Sequence, residues 1–110
     1  MPTWQSKFQQ EIQRAEECRA RSNEGQARVC ARRAAGIAVR EYLSRRGLPA
    51  LSSSAYDLLK SLADLPDISA AALQSAAHLT LRVNEEFKLP IDADLVREAN
   101  ALREQLLPGE

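Results

Sequence analysis

Ala27-Arg28-Val29-Cys30-Ala31-Arg32-Arg33-Ala34-Ala35-Gly36-Ile37-Ala38-Val39-Arg40-Glu41-Tyr42-Leu43 is the stretch that decides the fold. Ala27, Ala31, Ala34, Ala38 and Tyr42 recur every three or four positions, which lines them up on one side of an α-helix. Ala35, Val39 and Leu43 widen that side into a broad face of small residues, suited to burial against more than one neighbour. Gly36 in the middle costs about 1 kcal/mol relative to alanine in a helix, a cost that a close helix crossing would offset. Gly47, followed by Leu48-Pro49, is a stop signal, so the helix is expected over residues 24–46.

The same rhythm extends in both directions. Upstream, Trp4, Phe8, Ile12, Ala15 and Cys18 form one apolar stripe, and Thr3 is placed to cap it. A helix over residues 3–22 follows, broken at Ser22-Asn23-Glu24-Gly25 and folded back as a hairpin with the next. Downstream, Ser54 precedes Leu58, Leu59 and Leu62 in a short helix over 55–65 that ends before Pro66. Ser69 is expected to cap a fourth helix over 69–86, with Ala72, Ala76, Leu79, Val83 and Phe87 as its stripe. Asp92 is expected to cap a fifth helix over 92–107, with Leu95, Ala99, Leu102 and Leu106 inward. The reading is a single all-α domain spanning 1–110, an up-and-down bundle of four to five helices.

Composition narrows the function classes. The 110 residues are long enough to bury a core without disulfides or metal. Lys+Arg and Asp+Glu are equal at 15 each, so a strong long-range positive field toward nucleic acid or anionic membrane is not expected. No apolar run approaches the ~20 residues of a membrane span, and a cytoplasmic protein is the expectation. The two cysteines, Cys18 and Cys30, form no CxxC, and one histidine leaves too few ligands for zinc. No cofactor and no metal are therefore expected. The two thiols lie on or near the apolar stripes, where they serve as small hydrophobes; a disulfide across the hairpin and a reactive thiol are the alternatives.

The candidate binding residues are Arg28, Arg32 and Arg40, at multiples of four on the second helix, with Arg33 beside them; Arg45 and Arg46 close the helix, and Arg14, Arg19 and Arg21 on the first helix extend the patch. Forked guanidinium groups suit phosphate. Glu16, Glu17, Glu24 and Glu41 are interleaved, so the first expectation is a solvated, ion-paired face. An acidic protein partner and a nucleic acid or nucleotide are the other two readings. His78 reads as an exposed histidine on the polar side of the fourth helix, near Gln74, Ser75, Arg82 and Glu85. No catalytic residue is assigned, because no nucleophile or Gly-rich phosphate loop accompanies it.

Glu24-Gly25-Gln26-Ala27-Arg28 leading into the helix from Ala31 to Leu43, then Ser54-Ala-Tyr-Asp57-Leu-Leu59, then Leu89-Pro90-Ile-Asp92-Ala-Asp94-Leu95, resemble the HEPN family of small helical domains over residues 16–107. That resemblance implies an up-and-down bundle, frequent homodimerisation and a partner nucleotidyltransferase-like protein. The family's ribonucleases use an Arg followed four to six residues later by His. Here Arg46 is the nearest arginine before His78, and Tyr56 stands where the family often has His. The ribonuclease activity is therefore not carried over. The resemblance implies a non-catalytic, homodimeric interaction module, and the arginine face offers the alternative of a nucleic-acid or nucleotide-binding module.

Overall fold

The structure is a computed structural model that describes residues 3–50, 52–82 and 93–109. Those residues form five α-helices and no strand: α1 (Trp4–Ala20), α2 (Glu24–Arg45), α3 (Ala55–Ser61), α4 (Ala70–Leu79) and α5 (Leu95–Leu106), with a 3-10 turn over Leu62–Asp64 after α3.

Helix α2 is the centre. Its alanine face is buried from Ala27 to Leu43, and α1, α3, α4 and α5 all pack against it. The small side chains are what let four helices approach one. Larger residues from the neighbours fill the space: Phe8 and Ile12 of α1, Leu58 and Leu59 of α3, Leu79 of α4, Leu95 and Leu102 of α5. Gly36 is the closest approach. A Cβ there would lie 2.8 Å from the Ala55 Cβ, so the missing side chain is what seats the start of α3 against the middle of α2.

The helix ends follow their local chemistry. Thr3, Ser54 and Ser69 each accept a backbone N–H three residues on, capping α1, α3 and α4. Asn23 does the same for α2. Ser22 sits at φ 60, and the Asn23 N–H reaches back to the Cys18 carbonyl, closing α1 with a left-handed residue before α2 begins. Gly47, at φ 69, closes α2 in the same manner, with the Leu48 N–H on the Leu43 carbonyl.

Three boundaries differ from the sequence reading. The fourth helix stops at Leu79 rather than running through residue 82 and beyond. Thr80 turns its hydroxyl back onto the Ala76 and Ala77 carbonyls, and the Leu81 N–H bonds to the His78 carbonyl, tightening the last turn. Val83 and Phe87 of the expected stripe, and Glu85 on the polar side, lie outside the described residues. The fifth helix starts at Leu95, capped by Asp94, whose carboxylate accepts the Arg97 N–H; Asp92 lies outside the described residues. The third helix gives way to the 3-10 turn after Ser61 instead of continuing to residue 65.

No helix among the described residues is long and apolar enough to cross a membrane. Both cysteines are free; Cys30 is 2% exposed and Cys18 half-buried. Burial pushes the Cys30 thiol above its usual value, and the nearby Glu11 carboxylate and Cys18 add to the shift. Only the thiolate reacts with disulfide reagents. We therefore expect the native protein to titrate one thiol, Cys18, with Ellman's reagent at pH 8, and both after unfolding in guanidinium. Two fast thiols in the native state would contradict this burial.

Candidate functional site: an arginine groove along α2

Arg28, Arg32, Arg33 and Arg40 project from the side of α2 that passes under the start of α3 and the end of α4. Two adjoining cavities lie there, of about 410 and 530 Å³. The smaller is bounded by Arg28, Arg32 and Arg82, and the larger by Arg32, Arg33 and Arg40. Tyr56, in the first turn of α3, borders both. Its ring is flanked by cations: the Arg82 guanidinium is 4.8 Å and the Lys60 ammonium 5.6 Å from the centroid.

Arg32 is the fixed point of the groove. Its Nε donates to the Leu79 carbonyl at 2.6 Å and its Nη2 to the Leu81 carbonyl at 2.7 Å. These carbonyls belong to the end of α4, where acceptors lack intrahelical donors and the helix dipole is negative. One guanidinium thus supplies both the hydrogen bonds and the charge that this end requires. Burial lowers the Arg32 pKa from its ordinary value, and repulsion from Arg28 and Arg82 lowers it further. Arg40 is held more loosely, its Nη2 donating to the Ser52 carbonyl at 3.2 Å.

The expectation of an ion-paired face holds for one part of the patch, Arg19 and Arg45, and not for the arginines of the groove. Glu24 does not pair with Arg28, one turn along its own helix. It takes Arg19 instead, across the hairpin, through two bonds of 3.1 and 2.9 Å. Glu41 pairs with Arg45 at 2.9 Å, and Glu11, at the edge of the larger cavity, with Arg14 at 2.9 Å. Glu16 and Glu17 are exposed on α1. Among the described residues no carboxylate pairs with Arg28, Arg32, Arg33, Arg40 or Arg82. Among the described residues the two cavities are lined by five arginines and one carboxylate, Glu11, a local excess of positive charge that the equal totals conceal.

His78 lies apart from this groove. It is half-buried rather than exposed, with Nδ1 2.6 Å from Glu98 Oε2, tying α4 to α5. The Glu98 carboxylate orients the ring. Among the described residues no hydroxyl or thiol hydrogen-bonds to it, and no group of acidic, histidine or cysteine side chains is arranged to hold a metal. Nearby, Arg19 also reaches Asp94 at 3.0 Å. Burial alone would raise the Asp94 carboxyl, but the Arg19 bond and backbone donors outweigh it and hold the pKa below its ordinary value.

The structure thus brings the three sequence candidates, Arg28, Arg32 and Arg40, to one groove. It adds Tyr56 and Arg82, which come from elements far along the chain and which no local spacing connects to α2. No protein-family model matches the chain, and no curated protein or solved structure matches it.

Proposed function

We propose that the protein is a non-catalytic binding module that takes phosphate-bearing ligands, nucleotide or nucleic acid, in the arginine groove. The observation that supports it is that five arginines line the two cavities bordered by Tyr56, while the neighbouring carboxylates Glu11, Glu24 and Glu41 pair with Arg14, Arg19 and Arg45. Cations that repel one another are stabilised when an anion enters, and guanidinium groups match phosphate oxygens with paired donors. The up-and-down order of the helices, the cytoplasmic setting and the HEPN-like character belong to the same reading.

Arg28 separates binding from folding, because it makes no hydrogen bond among the described residues, whereas Arg82 also lies over the Tyr56 ring. Replacing either by alanine is expected to weaken binding of pyrophosphate or ATP about tenfold, at about 1.4 kcal/mol per tenfold. The melting temperature of the ligand-free protein should hold or rise slightly for Arg28→Ala, which relieves repulsion on Arg32, and fall slightly for Arg82→Ala, which also loses the contact with Tyr56. Calorimetric titration at two salt concentrations checks this. Affinity untouched by both substitutions and by salt would exclude the groove as the site.

A self-associating module is the second reading, partnering a second copy or a nucleotidyltransferase-like protein. It draws on Leu48 and Leu73, the exposed large hydrophobic residues, at 40% and 36%. Sedimentation at micromolar concentration distinguishes the two, and a monomer that binds pyrophosphate favours the first.

A further inference from the structure

A further cavity, of about 340 Å³, lies between the end of α2 and α3 and shares only Leu58 with the arginine groove. Its apolar walls come from Leu43, Leu48 and Pro49 on one side and from Leu58 and Leu65 on the other. Leu43 and Leu58 belong to the core, Leu65 is half-buried, and Leu48 is exposed. A concave, mainly apolar notch with a few placed polar groups is the usual form of a small-molecule site. Covering Leu48 would also remove apolar surface from water.

The side-chain polar groups of this notch are acceptors. Ser52 Oγ donates its hydrogen to Asp57 Oδ2 at 2.9 Å, and Ser61 Oγ donates to the Leu58 carbonyl at 2.7 Å. The second oxygen of Asp57 and both oxygens of Asp64 stay open to a donor. Among the described residues neither carboxylate is in an ion pair. No lysine or arginine lines the notch. Arg40 meets Ser52 only through its carbonyl and lines the larger cavity of the groove. Lys60, on the same helix as Asp57, lies over the Tyr56 ring instead.

Asp57 is in the first turn of α3 and Asp64 ends the 3-10 turn that follows it. At about 1.5 Å of rise per residue to Ser61 and about 2.0 Å beyond it, they stand about 12 Å apart along the element. Both line the same notch, with apolar side chains between them. We propose that this notch binds a linear aliphatic diamine, one ammonium on Asp57, the other on Asp64, and the methylene chain against Leu48, Pro49 and Leu58. A monoamine leaves one carboxylate unmatched. A short diamine does not span the two, and a divalent metal ion gains nothing from the leucines. The site is independent of the phosphate reading, since it takes a cation where the groove takes an anion.

The experiment titrates the full chain with heptamethylenediamine, heptylamine, putrescine and magnesium chloride. Calorimetry gives the affinities, and the methyl NMR signals of Leu48 and Leu65 report where each compound sits. The expected result is heptamethylenediamine binding tightest, about fivefold tighter than heptylamine, the gain of one partly exposed ion pair. Asp64→Asn should erase that advantage and leave pyrophosphate affinity unchanged. Leu48→Ser should weaken both seven-carbon amines and keep their ratio. Both positions are exposed, and circular dichroism confirms that the variants are folded. Heptylamine binding as tightly as the diamine overturns the two-ended ligand. Putrescine or magnesium binding as tightly overturns the part given to the apolar walls. Leu48 and Leu65 signals that no amine shifts overturn the notch as the site, and leave the arginine groove untouched.

Discussion

Replacing Arg32 by leucine lowers the free energy of unfolding by about 2–3 kcal/mol, measured in urea at constant m-value. Its guanidinium bonds two carbonyls at the end of α4, at 2.6 and 2.7 Å, and a bond with a charged donor is worth about 1.5–3 kcal/mol. The two do not add in full, because the residue is half-buried and water reaches the vacated carbonyls. Lysine at the same position retains the charge but not the fork, and should recover about half of the loss. The last turn of α4 should also lose hydrogen-exchange protection, from Ala77 to Thr80. A change below about 0.5 kcal/mol, within the usual range for surface substitutions, would mean that the bridge does not hold the helix end. Ligand affinity falls as well, so Arg32, unlike Arg28, cannot distinguish binding from stability.

The second large effect is at Gly36. Elsewhere in a helix, glycine to alanine gains about 1 kcal/mol. Here the added Cβ would stand 2.8 Å from the Ala55 Cβ and 3.1 Å from the Ala55 Cα, and the latter is backbone that cannot swing aside. Overpacking of this kind costs about 1–3 kcal/mol, so alanine is expected to be neutral to destabilising and valine to lose about 2–3 kcal/mol. The displaced element is α3, which carries Tyr56 at the border of both cavities, so valine should also weaken pyrophosphate binding. The double variant Gly36→Ala, Ala55→Gly removes the 2.8 Å contact but keeps the 3.1 Å one, and should recover part of what Gly36→Ala alone loses. Thermal melts of the three proteins check the sign, and a valine variant as stable as the parent would show that the two helices do not touch here.

What was legible in the sequence was what depends on near neighbours. The alanine face of α2, the caps Thr3, Ser54 and Ser69, and the stop at Gly47 all rest on spacings of three to five residues, and the structure has each of them. The end of α4 was not legible, because its carbonyls are satisfied by Arg32, 47 and 49 positions earlier. Charge pairing was legible only in part, for a related reason. The one-turn pair Glu24–Arg28 competes with Glu24–Arg19, which forms two parallel bonds across the hairpin and gains a further partner in Asp94. Glu41–Arg45 did follow the one-turn rule, with the acid on the N-terminal side as favoured. Of the groove, the α2 arginines were visible as a repeat. Tyr56 and Arg82 were not, because the Gly36–Ala55 contact and the early stop of α4 bring them there.

Arg19 imposes an order on assembly. The same Nη2 serves Glu24, 5 positions away, and Asp94, 75 positions away. Loop-closure entropy grows as about (3/2)RT ln n, so the distant bond costs about 2 kcal/mol more to close from the open chain. The nascent α1–α2 hairpin can form its clasp first. That early clasp immobilises a side chain which otherwise surrenders about 2 kcal/mol of rotamer freedom. By the time the final helix docks, its cap finds a guanidinium already aimed, and the topologically slow closure inherits the work of the fast one.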